Sequence, residues 1–215
     1  MKPLIYQIFT RLYGNKKHAN IPAGSIEENG CAKMNDITAK QLERIASMGF
    51  THVWFTGLIE HATQTDYSAY DIKPDHPAVV KGRAGSPYAI KDYYDIDPDL
   101  AVNVKQRMKE FNALLKRTHQ AGLKLVIDFV PNHVARQYNS DAHPKGVKDL
   151  GEGDDTTKAF DPNNNFYYLE GQTLHTNFDT ERRARHPYSE SPAKATGNDW
   201  FNAWPCRNDW DEAVM

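Results

Sequence analysis

Apolar residues in this chain fall into short continuous runs and into stretches recurring every three to four positions, and the two kinds alternate. Residues 4–12 (LIYQIFTRL) are rich in branched and aromatic side chains and predict a strand. Residues 13–36 hold Gly14, Pro22, Gly24 and Gly30 and read as loop. Thr38-Ala-Lys-Gln41 has the form of a capping box: the Thr38 hydroxyl accepts from a free helical N–H while Gln41 reaches back. Leu42, Ile45 and Met48 then recur at helical spacing, and Gly49 is placed to end the helix. Residues 51–57 (THVWFTG) predict a second strand. Strand, helix, strand is the crossover unit of a parallel sheet.

Residues 58–102 show no convincing helix, and a loop of that length in a compact domain has a job. It carries Tyr67, Tyr70, Tyr88, Tyr93 and Tyr94 among Asp and His residues. Residues 103–120 return to helix, with Val104, Met108, Phe111, Leu115 and Thr118 on one face and Gly122 as its stop. Residues 123–133 (LKLVIDFVPNH) follow as a strand, expected to be buried on both faces of a parallel sheet. Asp128 interrupts its apolar run, and a carboxylate there must meet a partner or line a polar site. Pro131 ends the ladder, leaving Asn132 and His133 at the carboxyl end of the strand, where parallel α/β folds place their ligands.

From Val134 the periodicity disappears. Residues 134–215 are rich in Asp, Asn, Gly, Pro and Trp, with strand-like runs at 165–169 and 173–178. The expectation is an α/β fold, the N-terminal part of a (β/α)8 TIM barrel, with a small irregular β-containing insertion domain after strand three. Residues 1–133 would supply the first three β/α units and 134–215 the insertion.

Composition adds limits. The chain of 215 residues has a net charge of −2, so no global basic field draws it to nucleic acid or to a membrane surface. Eleven Tyr and four Trp suit sugar binding and core packing alike. Cys31 and Cys206 lack the spacing of a zinc site, and a bridge between them stays open. No apolar run reaches the roughly 18 residues of a membrane span, and no leader precedes residue 4, which favours a cytoplasmic protein. Gly82-Arg-Ala-Gly85 reads as a flexible turn or an anion cradle, and Glu152, Asp154 and Asp155 as a solvated loop. Trp200, Phe201, Trp204 and Trp210 either wall a sugar groove or form the small core of the insertion.

The pattern Asp128-x-Val130-x-Asn132-His133 resembles the first signature region of the α-amylase family of glycoside hydrolases, at the end of that family's third barrel strand. Residues 4–12 look like its first strand, and residues 49–54 (GFTHVW) like the start of its second, with Gly57 where many relatives carry Pro. Residues 86–98 (SPYAIKDYYDIDP) are similar to the Tyr-x-x-x-Asp-Tyr stretch of the loop after strand two. Residues 134–215 sit where the family inserts its domain B, so the likeness covers essentially the whole chain.

The resemblance implies that Tyr88 stacks on the sugar at the cleavage subsite and that His133 donates a hydrogen bond to a hydroxyl of the same sugar. Asp128, grouped with them at the substrate site, most resembles a structural carboxylate paired with an Arg of the next strand, which this chain does not contain. Asp92 holds the tyrosine loop in place. Asn132 would offer its side-chain oxygen to a calcium ion at the junction with the insertion. The implied chemistry is retaining cleavage or transfer of α-glucosidic bonds in starch-like or maltodextrin-like oligosaccharides and polysaccharides. It needs two carboxyl groups about 5–5.5 Å apart, which the family places after strands four and five. No residue of this chain is therefore assigned as catalytic, and the 215-residue piece alone is expected to be inactive. A carbohydrate-binding relative on the same barrel, and an unrelated (β/α) barrel enzyme with a metal at Asp128, stand as alternatives.

Overall fold

A computed structural model describes residues 2–176 and 187–195. In chain order the elements are β1 (Ile5–Phe9), the one-turn helix α1 (Ile26–Asn29), α2 (Ala39–Ser47), β2 (His52–Thr56), β3 (Ile59–His61), β4 (Ile90–Ile96), α3 (Arg107–Gln120), β5 (Lys124–Ile127), β6 (Tyr168–Leu169), β7 (Leu174–Thr176), β8 (Tyr188–Glu190) and β9 (Ala193–Lys194). Strands β1, β2 and β5 form a parallel sheet in that order, with Ile5 opposite His52 and His52 opposite Lys124. Successive side chains of a strand alternate between faces. Tyr6, Ile8, Val53, Phe55 and Leu125 share the face that packs with Leu42, Ile45, Phe111 and Leu114 from the helices. The opposite face mixes Ile5, Phe9, Trp54 and Val126 with polar side chains, and on it the Gln7 side-chain amide donates to Thr56 Oγ1 at 2.8 Å.

Local signals in the sequence place the helices. Thr38 Oγ1 accepts from the Gln41 N–H (3.3 Å) and Gln41 Oε1 from the Thr38 N–H (2.7 Å), the expected capping box. Gly49 follows the helix at φ +92°, a conformation L side chains avoid. The short helix α1, inside a stretch read as loop, has a capping box of its own between Ser25 and Glu28.

Three expectations change. Helix α3 buries Leu114 and Thr118, with Phe111 packed beside them, whereas Met108 is 41% exposed and Leu115 only half-buried. The buried face is therefore rotated by about one position from the one expected. Strand β5 is not buried on both faces, since Ile127 is 40% and Phe129 74% exposed. Among the described residues it has one strand neighbour, β2, and helices cover only one side of the sheet. The loop after β2 is also more regular than its sequence suggests. Strands β3 and β4 pair antiparallel within it, and three-ten turns occur at Ser68–Tyr70, Pro77–Val79 and Pro98–Leu100.

Beyond β5 the chain runs in turns to two small antiparallel ladders, β6 with β9 and β7 with β8. Arg136 ties this region together, donating to Glu190 Oε1 (2.9 Å) and to the Lys194 carbonyl (3.2 Å). Trp200, Phe201, Trp204, Cys206 and Trp210 lie outside the described residues, as do the last two positions of the expected 173–178 run. Among the described residues no helix is long and apolar enough to cross a membrane.

Leu114→Ala should destabilise the protein by about 2–5 kcal/mol, with Leu115→Ala costing clearly less. Urea midpoints of the two variants check the rotation of α3, and the reverse order would restore the face expected from sequence.

Candidate functional site

The carboxyl ends of β2 and β5 are joined by one carboxylate. Asp128 directly follows β5, and its Oδ1 accepts from Trp54 Nε1 at 2.7 Å while Oδ2 accepts from the Gly57 N–H at 3.1 Å. Trp54 stands opposite Val126 in the parallel register, so Trp54 and Asp128 fall on the same face of the sheet. The partner that sequence reasoning demanded for Asp128 is thus supplied by the neighbouring strand of this chain.

Gly57 does two things there. Its N–H holds Asp128, and its φ of +79° turns the chain out of β2. A Cβ at this position would lie 2.9 Å from the Pro87 Cβ. The missing side chain therefore lets the Ser86-Pro87-Tyr88 turn sit directly on the end of β2. A proline at position 57 would have no N–H to give to Asp128 and would fix φ near −65°, so it could not take Gly57's place here.

Tyr88 is 41% exposed on that turn, its N–H donating to Ser86 Oγ at 3.3 Å. Arg11, just beyond β1, secures the preceding turn by donating to the carbonyls of Ala84 (2.8 Å) and Gly85 (3.2 Å). Residues 82–85 thus offer two carbonyl oxygens to a cation, and the Gln64 N–H and side-chain amide donate to the carbonyls of Arg83 and Gly82, so the turn is pinned on both sides. The Arg11 guanidinium also contacts His61 Nε2 at 2.5 Å, and His61 Nδ1 lies 2.8 Å from Asp97 Oδ2. Asp97 accepts from the Asp99 N–H as well (2.9 Å).

His133 is exposed, and its Nδ1 lies 3.2 Å from Asn132 Oδ1. Its backbone is held by a residue to which sequence reasoning gave no role. The Tyr93 hydroxyl donates to the Val130 carbonyl and contacts the His133 carbonyl at 3.4 Å. Burial raises the Tyr93 pKa, keeping the hydroxyl a donor. The Tyr93 ring packs between Phe129 and Tyr138, with centroids at 6.1 and 5.9 Å. The spacing of tyrosines in the loop was its one visible signal. Asn132 brings a single oxygen, already facing His133, where calcium takes about six to eight.

Asp92 is fully buried and joins two segments: Oδ1 accepts from the Tyr94 N–H (2.7 Å) and Oδ2 from the Ala142 N–H (3.1 Å). Other acids of the loop are paired in the same way. Asp99 Oδ1 accepts from the Tyr67 hydroxyl at 2.6 Å, and Asp75 Oδ2 from Lys91 Nζ at 2.9 Å. Arg107 Nη2 bridges Asp95 (2.5 Å) and Asp141 (3.0 Å). The arrangement fixes an exposed aromatic face and an exposed imidazole on segments anchored at the carboxyl ends of a parallel sheet, which suits a polar ligand with flat faces and hydroxyls.

The chain belongs to the alpha-amylase family, whose "Alpha amylase, catalytic domain" profile matches residues 7–199. Membership makes the three parallel strands the start of a TIM barrel. Cyclomaltodextrin glucanotransferase of Bacillus sp. (strain 38-2) is 24% identical over 147 residues, which covers 64% of this chain and 19% of that protein. Amino acid transporter heavy chain SLC3A1 of Rattus norvegicus is 44% identical over 57 residues, covering 26% of this chain and 7% of its own. Among solved structures, the noncanonic maltogenic alpha-amylase AmyB from Thermotoga neapolitana is similar with a TM-score of 0.45 and 25% identity, covering 76% of this chain and 29% of that one. The chain spans about a fifth of the length of curated relatives such as the glucanotransferase (19%) and maltase 1 of Drosophila virilis (21%).

Trp54→Phe removes the N–H that Asp128 accepts while keeping an aromatic ring. The expected loss is about 1.5–3 kcal/mol, as for hydrogen bonds to charged groups. An unchanged urea midpoint would mean that the Trp54–Asp128 bond does not hold the strand ends together.

Proposed function

We propose that this chain is the N-terminal part of a retaining α-glycosidase that hydrolyses or transfers α-glucosidic bonds of starch-like or maltodextrin-like glucans. The observation that carries the reading is the Asp128-x-Val-x-Asn132-His133 segment at the carboxyl end of the third parallel strand, with the Tyr88 turn seated on the end of the second. Residues 134–215 serve in this reading as the insertion over the barrel mouth. A calcium ion at Asn132 belongs to the same proposal, its other ligands coming from the insertion or from later parts of the barrel.

In this reading the Tyr88 ring packs on the face of the sugar at the cleavage subsite. Its π-face also favours the positive charge of an oxocarbenium-like transition state. The His133 imidazole donates to a hydroxyl of that sugar. Asp128 keeps the strand ends in register, so that both groups are presented from fixed backbone, and Asp92 and Tyr93 hold the two segments behind them. The nucleophile and the acid/base are contributed by later strands, and residues 1–215 alone have no activity.

A second reading, a carbohydrate-binding relative without catalysis, has one observation behind it. The family likeness extends to a protein named as an amino acid transporter heavy chain, so membership does not by itself entail glycosidase activity.

A reducing-end assay on the full-length protein with maltooligosaccharides separates the readings. Wild type should cleave, and His133→Ala and Tyr88→Ala should each lose a hundredfold or more in rate, about 2.7 kcal/mol of transition-state stabilisation. Binding without cleavage would transfer the reading to the binding relative. Failure of both would remove α-glucans as the ligand class.

A further inference from the structure

One charged side chain in the described structure is buried without a partner for either of its oxygens. Glu60, on β3, is 1% exposed, and neither Oε1 nor Oε2 receives a hydrogen bond. It lies directly opposite Asp92 in the antiparallel pairing with β4, at a shift in register. Like charges in that position repel. Asp141, from the segment after β5, completes a group in which one oxygen of each carboxylate lies within 4.8 Å of the others.

The positive charge nearby does not balance this group. Arg107 is shared between Asp95 and Asp141, and Lys91 is held by Asp75. Isolated buried carboxylates are costly, and three converging ones call for a cation or for protons. The spread of the oxygens fits a common ion bound at about 2.3–2.6 Å, the calcium–oxygen range. Asp141 lies at the surface, so an ion has a route in and waters can complete its shell.

We propose that Glu60, Asp92 and Asp141 bind a calcium ion that clamps the segment after β5 onto the β3–β4 hairpin. Asp92 already fastens that segment through the Ala142 N–H. The ion adds a second tie between the hairpin and the chain that leaves His133. This site shares no residue with Asn132 and is independent of the glycosidase reading, because its occupancy is read without substrate.

The test is thermal unfolding of the purified protein after EDTA treatment, with and without excess calcium chloride, in an Asn132→Ala background that leaves only the site proposed here. Calcium should raise the midpoint of Asn132→Ala by roughly 5 °C. The double variant Asn132→Ala/Glu60→Gln should show no rise. If that double variant does not fold, Asp141→Asn in the same background serves instead, read by Tb3+ luminescence that calcium displaces in Asn132→Ala and that the double variant lacks. No calcium rise in Asn132→Ala, or an equal rise in the double variant, would overturn the proposal.

Discussion

A carboxylate taken out of water must find donors, and much of this structure follows from where those donors are. Between β2 and α3 the chain buries Glu60, Asp75, Asp92, Asp95, Asp97 and Asp99. A loop packed by apolar contact alone tolerates many arrangements, whereas each of these acids except Glu60 is met by a specific group. Lys91, Arg107, Tyr67 and the backbone N–H groups of Thr63, Tyr94 and Ala142 are placed by that requirement. Replacing one such acid by an apolar residue would leave its donors unpaired, so the loop is specified as a set and not contact by contact. Glu60 is the member left over, and that is why it points to an ion.

The same requirement organises the strand ends. Asp128 could not stay unpaired at the mouth of the sheet, and the groups that satisfy it, Trp54 and Gly57, belong to the strand beside it. Satisfying Asp128 fixes the turn at Gly57. That turn admits Pro87 against its missing side chain, and Pro87 positions Tyr88. On the other flank, Tyr93 of the hairpin holds the backbone from Val130 to His133. The two exposed groups of the candidate subsite therefore rest on half-buried partners packed behind them.

Legibility in the sequence tracks how local each determinant is. Thr38, Gln41 and Gly49 act within one helix, and their roles could be read directly. The three parallel strands were visible because their apolar runs are continuous. Strands β3 and β4 were not, because Glu60, His61, Lys91, Asp92 and Asp95 interrupt every alternation, and what makes them buried strands is long-range pairing. The core face of α3 was misplaced because Leu114 and Leu115 are equally apolar, and only the sheet decides which one turns inward. Exposure of β5 depends on its neighbours in space, to which an apolar run is blind. Asp128 was legible as a residue in need of a partner, and the partner's identity required the register between β2 and β5.

The central claim is that Tyr88 and His133 are presented to one sugar from these anchored segments. A crystal structure of the full-length protein soaked with a maltooligosaccharide tests it directly. The claim requires a glucosyl ring against the Tyr88 face, with a hydroxyl within hydrogen-bond distance of the His133 imidazole. A bound sugar that touches neither residue would contradict it.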